Sequence, residues 1–190
     1  MPDRRNPLAL VLLATVLLPT GALAQKTAAP ATAPASDAHK ALAAFVGEFD
    51  QHTEVRMGPG EPQKFHSTGT GAWILGGQFV QVTSRSAPDE KQQGERMLIY
   101  GYDPQTRKYT LANYETGAMV ATIATGDYDA ASRRFTFTGE RAQGDAKVPF
   151  RWTLKVDDKG AILQTIAMKF PGAADYAPCI TVQHTPKTKK

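Results

Sequence analysis

The stretch Phe150, Trp152, Leu154, Val156, alternating with Arg151, Thr153, Lys155 and Asp157, constrains this chain more than any other feature. Such alternation suits a strand with one dry and one wet face. It does not suit a helix, whose apolar positions recur every three or four residues. Phe135 and Phe137 alternate likewise with Thr136 and Thr138, and Ile162, Ile166, Met168 and Phe170 share a face on which Gln164 also lies. Further strand-like runs fall near 49–57, 66–75, 78–86, 95–102, 107–115, 119–128 and 177–184. Turn chemistry divides them at Gly76-Gly77, Asp103-Pro104-Gln105-Thr106, Asp129-Ala130-Ala131-Ser132 and Asp157-Asp158-Lys159-Gly160.

This pattern predicts about ten strands at intervals of roughly 8–12 residues with no helix between them. Parallel crossovers each need about a dozen residues or more, so a parallel fold is excluded. A long meander either closes on itself or leaves an exposed edge, and closure removes the edge. The expected fold is all-β: an up-and-down antiparallel β-barrel of about ten strands with one short N-terminal helix. A two-sheet sandwich is the alternative. Ser36 is placed to cap that helix, which runs from Asp37 to Val46, buries Leu42, Phe45 and Val46, and stops at Gly47.

The first 24 residues have the form of a secretory signal. Arg4 and Arg5 precede an apolar run from Leu8 to Leu18, and Ala22-Leu23-Ala24 has the small-x-small form of a cleavage site. The run is shorter than the ~20 residues a spanning helix needs, so no membrane anchor is expected after cleavage. Residues 25–35 (QKTAAPATAPA) form a Pro/Ala/Thr linker, 36–185 a single barrel domain and 186–190 a basic tail. The expected location is periplasmic or secreted. Cys179 is the single cysteine, which excludes an internal disulfide, and its apolar-alternating setting suits a small buried side chain. The net charge of +4 is mild and no basic stripe is interleaved with aromatics, so nucleic acid is not an expected partner.

The Val46-Gly47-Glu48 turn and the polar first strand resemble the entry of calycin-like (lipocalin-like) barrels, with Phe49 where those carry Trp. A closer resemblance is to bacterial secreted domain-of-unknown-function family 1579. It is carried by His39-Lys40-x-Leu42, Val46-Gly47-Glu48, Met57-Gly58-Pro59-Gly60, Ser67-Thr68-Gly69-Thr70, Leu75-Gly76-Gly77 and Gly101-Tyr102-Asp103-Pro104. It implies a barrel like those that hold small hydrophobic ligands, and it implies no activity. Haem-binding barrels related to calycins use a late histidine as axial ligand, which makes His184 the position where such a role would fall; the plainer reading is a strand-end histidine.

Catalytic signatures are absent: there is no Gly-x-Ser-x-Gly, no Ser-x-x-Lys and no His-Glu-x-x-His. Gly69-Thr70-Gly71 lacks the third glycine and the following helix of a dinucleotide loop. His52 with Glu54 and Arg56 suits an outer charged ladder. No cofactor and no metal is called for. The aromatic residues offer the remaining signal, because many must point into a small barrel and either fill it or line a pocket. Candidate ligand-lining residues, chosen by strand phase and size, are Trp73, Tyr100, Tyr114, Trp152 and Gln164, with His184 added for the haem possibility. The favoured function is binding of a small apolar or amphipathic ligand. The alternatives are an envelope interaction module with a filled barrel, and an enzyme with ionisable groups inside it.

Overall fold

A computed structural model describes residues 36–91, 93–143 and 146–187. The signal and linker expected over 1–35, and tail residues 188–190, lie outside the described residues. Ten strands follow the helix: β1 (Gly47–Val55), β2 (Gln63–Ile74), β3 (Phe79–Ser86), β4 (Glu95–Asp103), β5 (Lys108–Glu115), β6 (Thr122–Asp129), β7 (Arg134–Gln143), β8 (Ala146–Val156), β9 (Ile162–Met168) and β10 (Ala177–Pro186). Each pairs antiparallel with its sequence neighbours, and β1 pairs with β10 from Phe49↔Pro186 to Val55↔Ile180. The sheet is therefore a closed barrel rather than a sandwich, and no strand edge is left open.

The expected turns form as their chemistry demands. Asp103 accepts the Gln105 amide through Oδ1 (2.9 Å) and the Thr106 hydroxyl through Oδ2 (2.7 Å). Asp129 holds the Ala131 amide in the same way, and Asp157 Oδ1 accepts the amides of Lys159 and Ala161. Each turn replaces lost ladder bonds by short local ones, so each hairpin is specified by its own few residues.

Two boundaries differ from the sequence expectation. The helix α1 (Asp37–Leu42) is shorter than expected and tightens into a 3₁₀ turn over Ala43–Phe45. Val46 is extended and half-exposed rather than part of the buried stripe. The tightening drives Phe45 inward, and Gly47, at φ +129°, turns the chain into β1. Strand β6 begins at Thr122, because Met119 and Val120 lie on an exposed loop with no pairing partner to recruit them.

The helix closes one end of the barrel. Ser36 accepts the His39 amide as N-cap, and the Tyr109 hydroxyl donates to Ala38 O at 3.0 Å. Phe45 stacks on Tyr100 with centroids 4.2 Å apart and lies 5.1 Å from Phe135. A side chain at Gly71 would overlap Phe45 O at 1.8 Å, so its absence lets the 3₁₀ turn rest directly on the β2 backbone. The opposite end, where β1, β3, β5, β7 and β9 finish, carries no such plug among the described residues and is the mouth.

Candidate functional site

Polar side chains occupy apolar phase positions inside the barrel. Gln51, Ser84, Asn113, Gln164 and His184 are all buried. A register row runs Gly69↔Ser84↔Arg96↔Glu115 across β2, β3, β4 and β5. Facing residues in such a row stand about 5 Å apart at Cβ, so their side chains meet on one face. Gly69 makes room for this row's neighbour: a Cβ there would lie 2.5 Å from Gln51 Nε2.

Gln51 is the centre of a hydrogen-bond chain. The Ser67 hydroxyl donates to Gln51 Oε1 (2.9 Å), and Gln51 Nε2 donates to His184 Nδ1 (3.0 Å). His184 Nε2 in turn donates to Gln164 Oε1 (3.2 Å). These partners assign the His184 proton to Nε2 and hold the ring neutral. Burial pushes its pKa down to about 3, with the Arg96 charge acting in the same direction.

Among the described residues five inward polar atoms have no hydrogen-bond partner: Ser84 Oγ, Arg96 Nε, Asn113 Oδ1, Trp152 Nε1 and Gln164 Nε2. A buried polar group without a partner costs roughly 1–3 kcal/mol, so each of the five asks for a cause. Burial lowers the Arg96 pKa, and the nearby Tyr100 and Glu115 act to raise it. The Glu115 carboxylate is bound instead to Arg141, with Oε1 2.8 Å from Nη2.

That ion pair stands between two cavities at the mouth. One, of about 260 Å³, is lined by Ser67, Ser84, Arg96, Glu115 and Thr116 among others. The second, of about 180 Å³, is lined by Met57, Arg141, Ala142, Val148 and Met168. The closed half offers no comparable space: the cavity bounded by Phe45, Tyr100, Leu154 and His184 holds about 10 Å³.

The residues singled out from sequence are thus distributed unequally. Tyr100, Trp152, Gln164 and His184 are buried inside the barrel. Trp73 is partly buried and packs against the core. Tyr114 lies on the outer face, 43% exposed, because its neighbour Asn113 takes the inward phase on β5. His184 presents no free nitrogen lone pair toward a cleft, since both ring nitrogens are engaged, and this geometry does not fit axial ligation of haem. His52 is exposed on the outer face beside the Glu54–Lys64 pair, as the ladder reading expected. Cys179 is buried. Among the described residues no group of three or more His, Cys, Asp or Glu side chains is placed to hold a metal ion.

Sequence reasoning passed over Ser84, Arg96, Asn113 and Arg141 and did not place Gln51 in the interior. A signal for them existed. Arg96 shares strand parity with Leu98 and Tyr100, Asn113 with Tyr109 and Leu111, and Ser84 with Val80 and Val82. A polar residue in the dry phase of an otherwise regular strand marks an interior site.

The model of a family described as proteins of unknown function, DUF1579, matches residues 34–185. The chain belongs to that family. No curated protein matches the sequence. Among solved structures, the crystal structure of Rv2717c from M. tuberculosis is similar, with a TM-score of 0.61 at 13% identity, over 80% of this chain and 99% of that one. At that identity the likeness is one of fold.

Proposed function

We propose that this DUF1579 member is an exported barrel that binds a small amphipathic ligand at its mouth without transforming it. The observation that carries the reading is the set of inward polar atoms without partners, Ser84 Oγ, Arg96 Nε and Asn113 Oδ1 among them, in a barrel whose mouth holds a cavity of about 260 Å³. Ligand sites are concave and mostly apolar, with a few placed polar groups that a ligand satisfies. Trp152 and Gln164 lie deeper and contribute their own unpartnered Nε1 and Nε2. Tyr100 and Trp73 belong to the packed core beneath the site, and His184 orients Gln164 and Gln51 rather than touching the ligand.

A neutral fluorescent probe such as N-phenylnaphthylamine tests this. It is expected to bind the folded protein and shift or quench tryptophan emission; no saturable binding would overturn the reading. Haem is expected to give no Soret shift that His184→Ala abolishes. Export is checked separately by the intact mass of the exported chain, expected to begin at Gln25. Retention of residues 1–24 would contradict it.

A second reading, an envelope interaction module, is favoured by one observation: Tyr114, Met119, Val120 and Ile123 form exposed apolar surface on the β5–β6 side. It takes the place of the first if the probe fails to bind and the outer face of β5–β6 captures a partner.

A further inference from the structure

We propose that the ligand is an organic monoanion of the carboxylate type, its head held at Arg96 and Arg141 and its apolar part lying against Met57, Val148 and Met168. This rests on the mouth being a ligand site, and it adds the chemical class. The first argument is charge. The inward-facing charged groups of the mouth among the described residues are Arg96, Glu115 and Arg141, two positive and one negative. The other two charged residues lining the polar cavity, Arg85 and Glu95, pair with each other at 3.1 Å. His184, deeper in the barrel, is neutral. One positive charge is therefore left in excess, and it falls on Arg96, whose Nε is shut off from water, where an uncompensated charge is costly.

The second argument is donor geometry. Glu115 is engaged by Arg141, and Arg96 Nε has no partner. A guanidinium presents a fork of donors that matches a carboxylate. Ser84, opposite Arg96 in register, adds a free hydroxyl. The third argument is shape. The Glu115–Arg141 pair divides a polar cavity from one whose other walls are Met57, Ala142, Val148 and Met168. An amphipathic anion fits this division: its head on the arginine side, and its chain across the pair into the apolar compartment. Glu115 then acts as an internal stand-in for the ligand's carboxylate, competing for Arg141 until the ligand arrives.

Decanoate and decanol compared as displacers of N-phenylnaphthylamine test the class. Charge-assisted hydrogen bonds to a guanidinium predict that decanoate displaces the probe about tenfold or more tightly than decanol. In Arg96→Met that ratio is expected to fall toward one. In Glu115→Gln it is expected to rise, because the competing carboxylate is gone, and this variant serves where Arg96→Met does not fold. A wild-type ratio near one overturns the anion while leaving the ligand site intact, since the probe itself still binds. A ratio that survives Arg96→Met, or that Glu115→Gln fails to raise, overturns the assignment of these residues. If the probe does not bind at all, both readings fall together.

Discussion

The two ends of this barrel are built from the same strands and solve opposite problems. At the closed end Phe45, Tyr100, Phe135 and Phe137 pack beneath the helix, and the gap left beside Phe45 and Tyr100 is about 10 Å³. At the mouth Ser84, Arg96 and Glu115 line a cavity of about 260 Å³ and Arg141 lines a second of about 180 Å³. Side-chain packing stabilises the first by dispersion and by removal of apolar area from water. The second gives up that stabilisation and carries unpartnered polar atoms besides. Proteins tolerate such a loss where a site must be kept, so the contrast separates the part of the barrel that holds the fold from the part available for function.

The largest effect that sharpens this contrast is expected from Trp152→Ala. Trp152 is buried between register partners Phe137 and Ile166, so its truncation should cost about 3–5 kcal/mol in denaturant unfolding. A loss below roughly 1 kcal/mol would place it on open space and dissolve the distinction between packed and open halves.

His184 gives a pH test of similar size spread over a wide range. Its folded pKa, about 3, lies below the ordinary 6.5, so the unfolded chain takes up a proton that the folded one refuses. The stabilisation is complete above pH 6.5 and is lost as pH falls toward 3, with a slope of about 1.4 kcal/mol per pH unit. Unfolding of wild type and His184→Gln over that window is expected to show a slope steeper by that amount in wild type. Equal slopes would mean that the ring is not held neutral.

A smaller change of opposite sign is expected at the mouth. Asn113→Leu replaces a carbonyl oxygen without a partner, so stability should stay level or rise by about 1 kcal/mol while probe affinity falls. Destabilisation of several kcal/mol would show that the mouth is held together by its polar groups and is not a preserved site. The smallest effect belongs to Met119→Ser on the exposed β5–β6 loop, expected within about ±0.5 kcal/mol by thermal unfolding.

Much of this architecture was legible in advance. Strand runs near 95–102 and 107–115 correspond to β4 and β5 within a residue or so, and the four expected turns all connect neighbouring strands. The site was less legible. Size selected Tyr114, although the parity of Tyr109 and Leu111 puts it outside. Gln164 was found because it interrupts a dry face, and the same rule applied to Arg96, Ser84 and Asn113 would have found the mouth.

What the amino-acid sequence determined by itself was the local part: alternation that makes each strand, aspartate turns that fold each hairpin, and the Ser36 cap that starts the helix. These depend on residues a few positions apart, so no tertiary information is needed to read them. Only the tertiary structure decided which polar residues meet. Gln51 and His184 bond across 133 positions, and they do so because β1 pairs with β10 in one register. The Glu115–Arg141 pair joins β5 to β7 across the intervening strand. Among the described residues, which half is packed and which holds space was decided in the same way, by a helix that plugs one end and not the other.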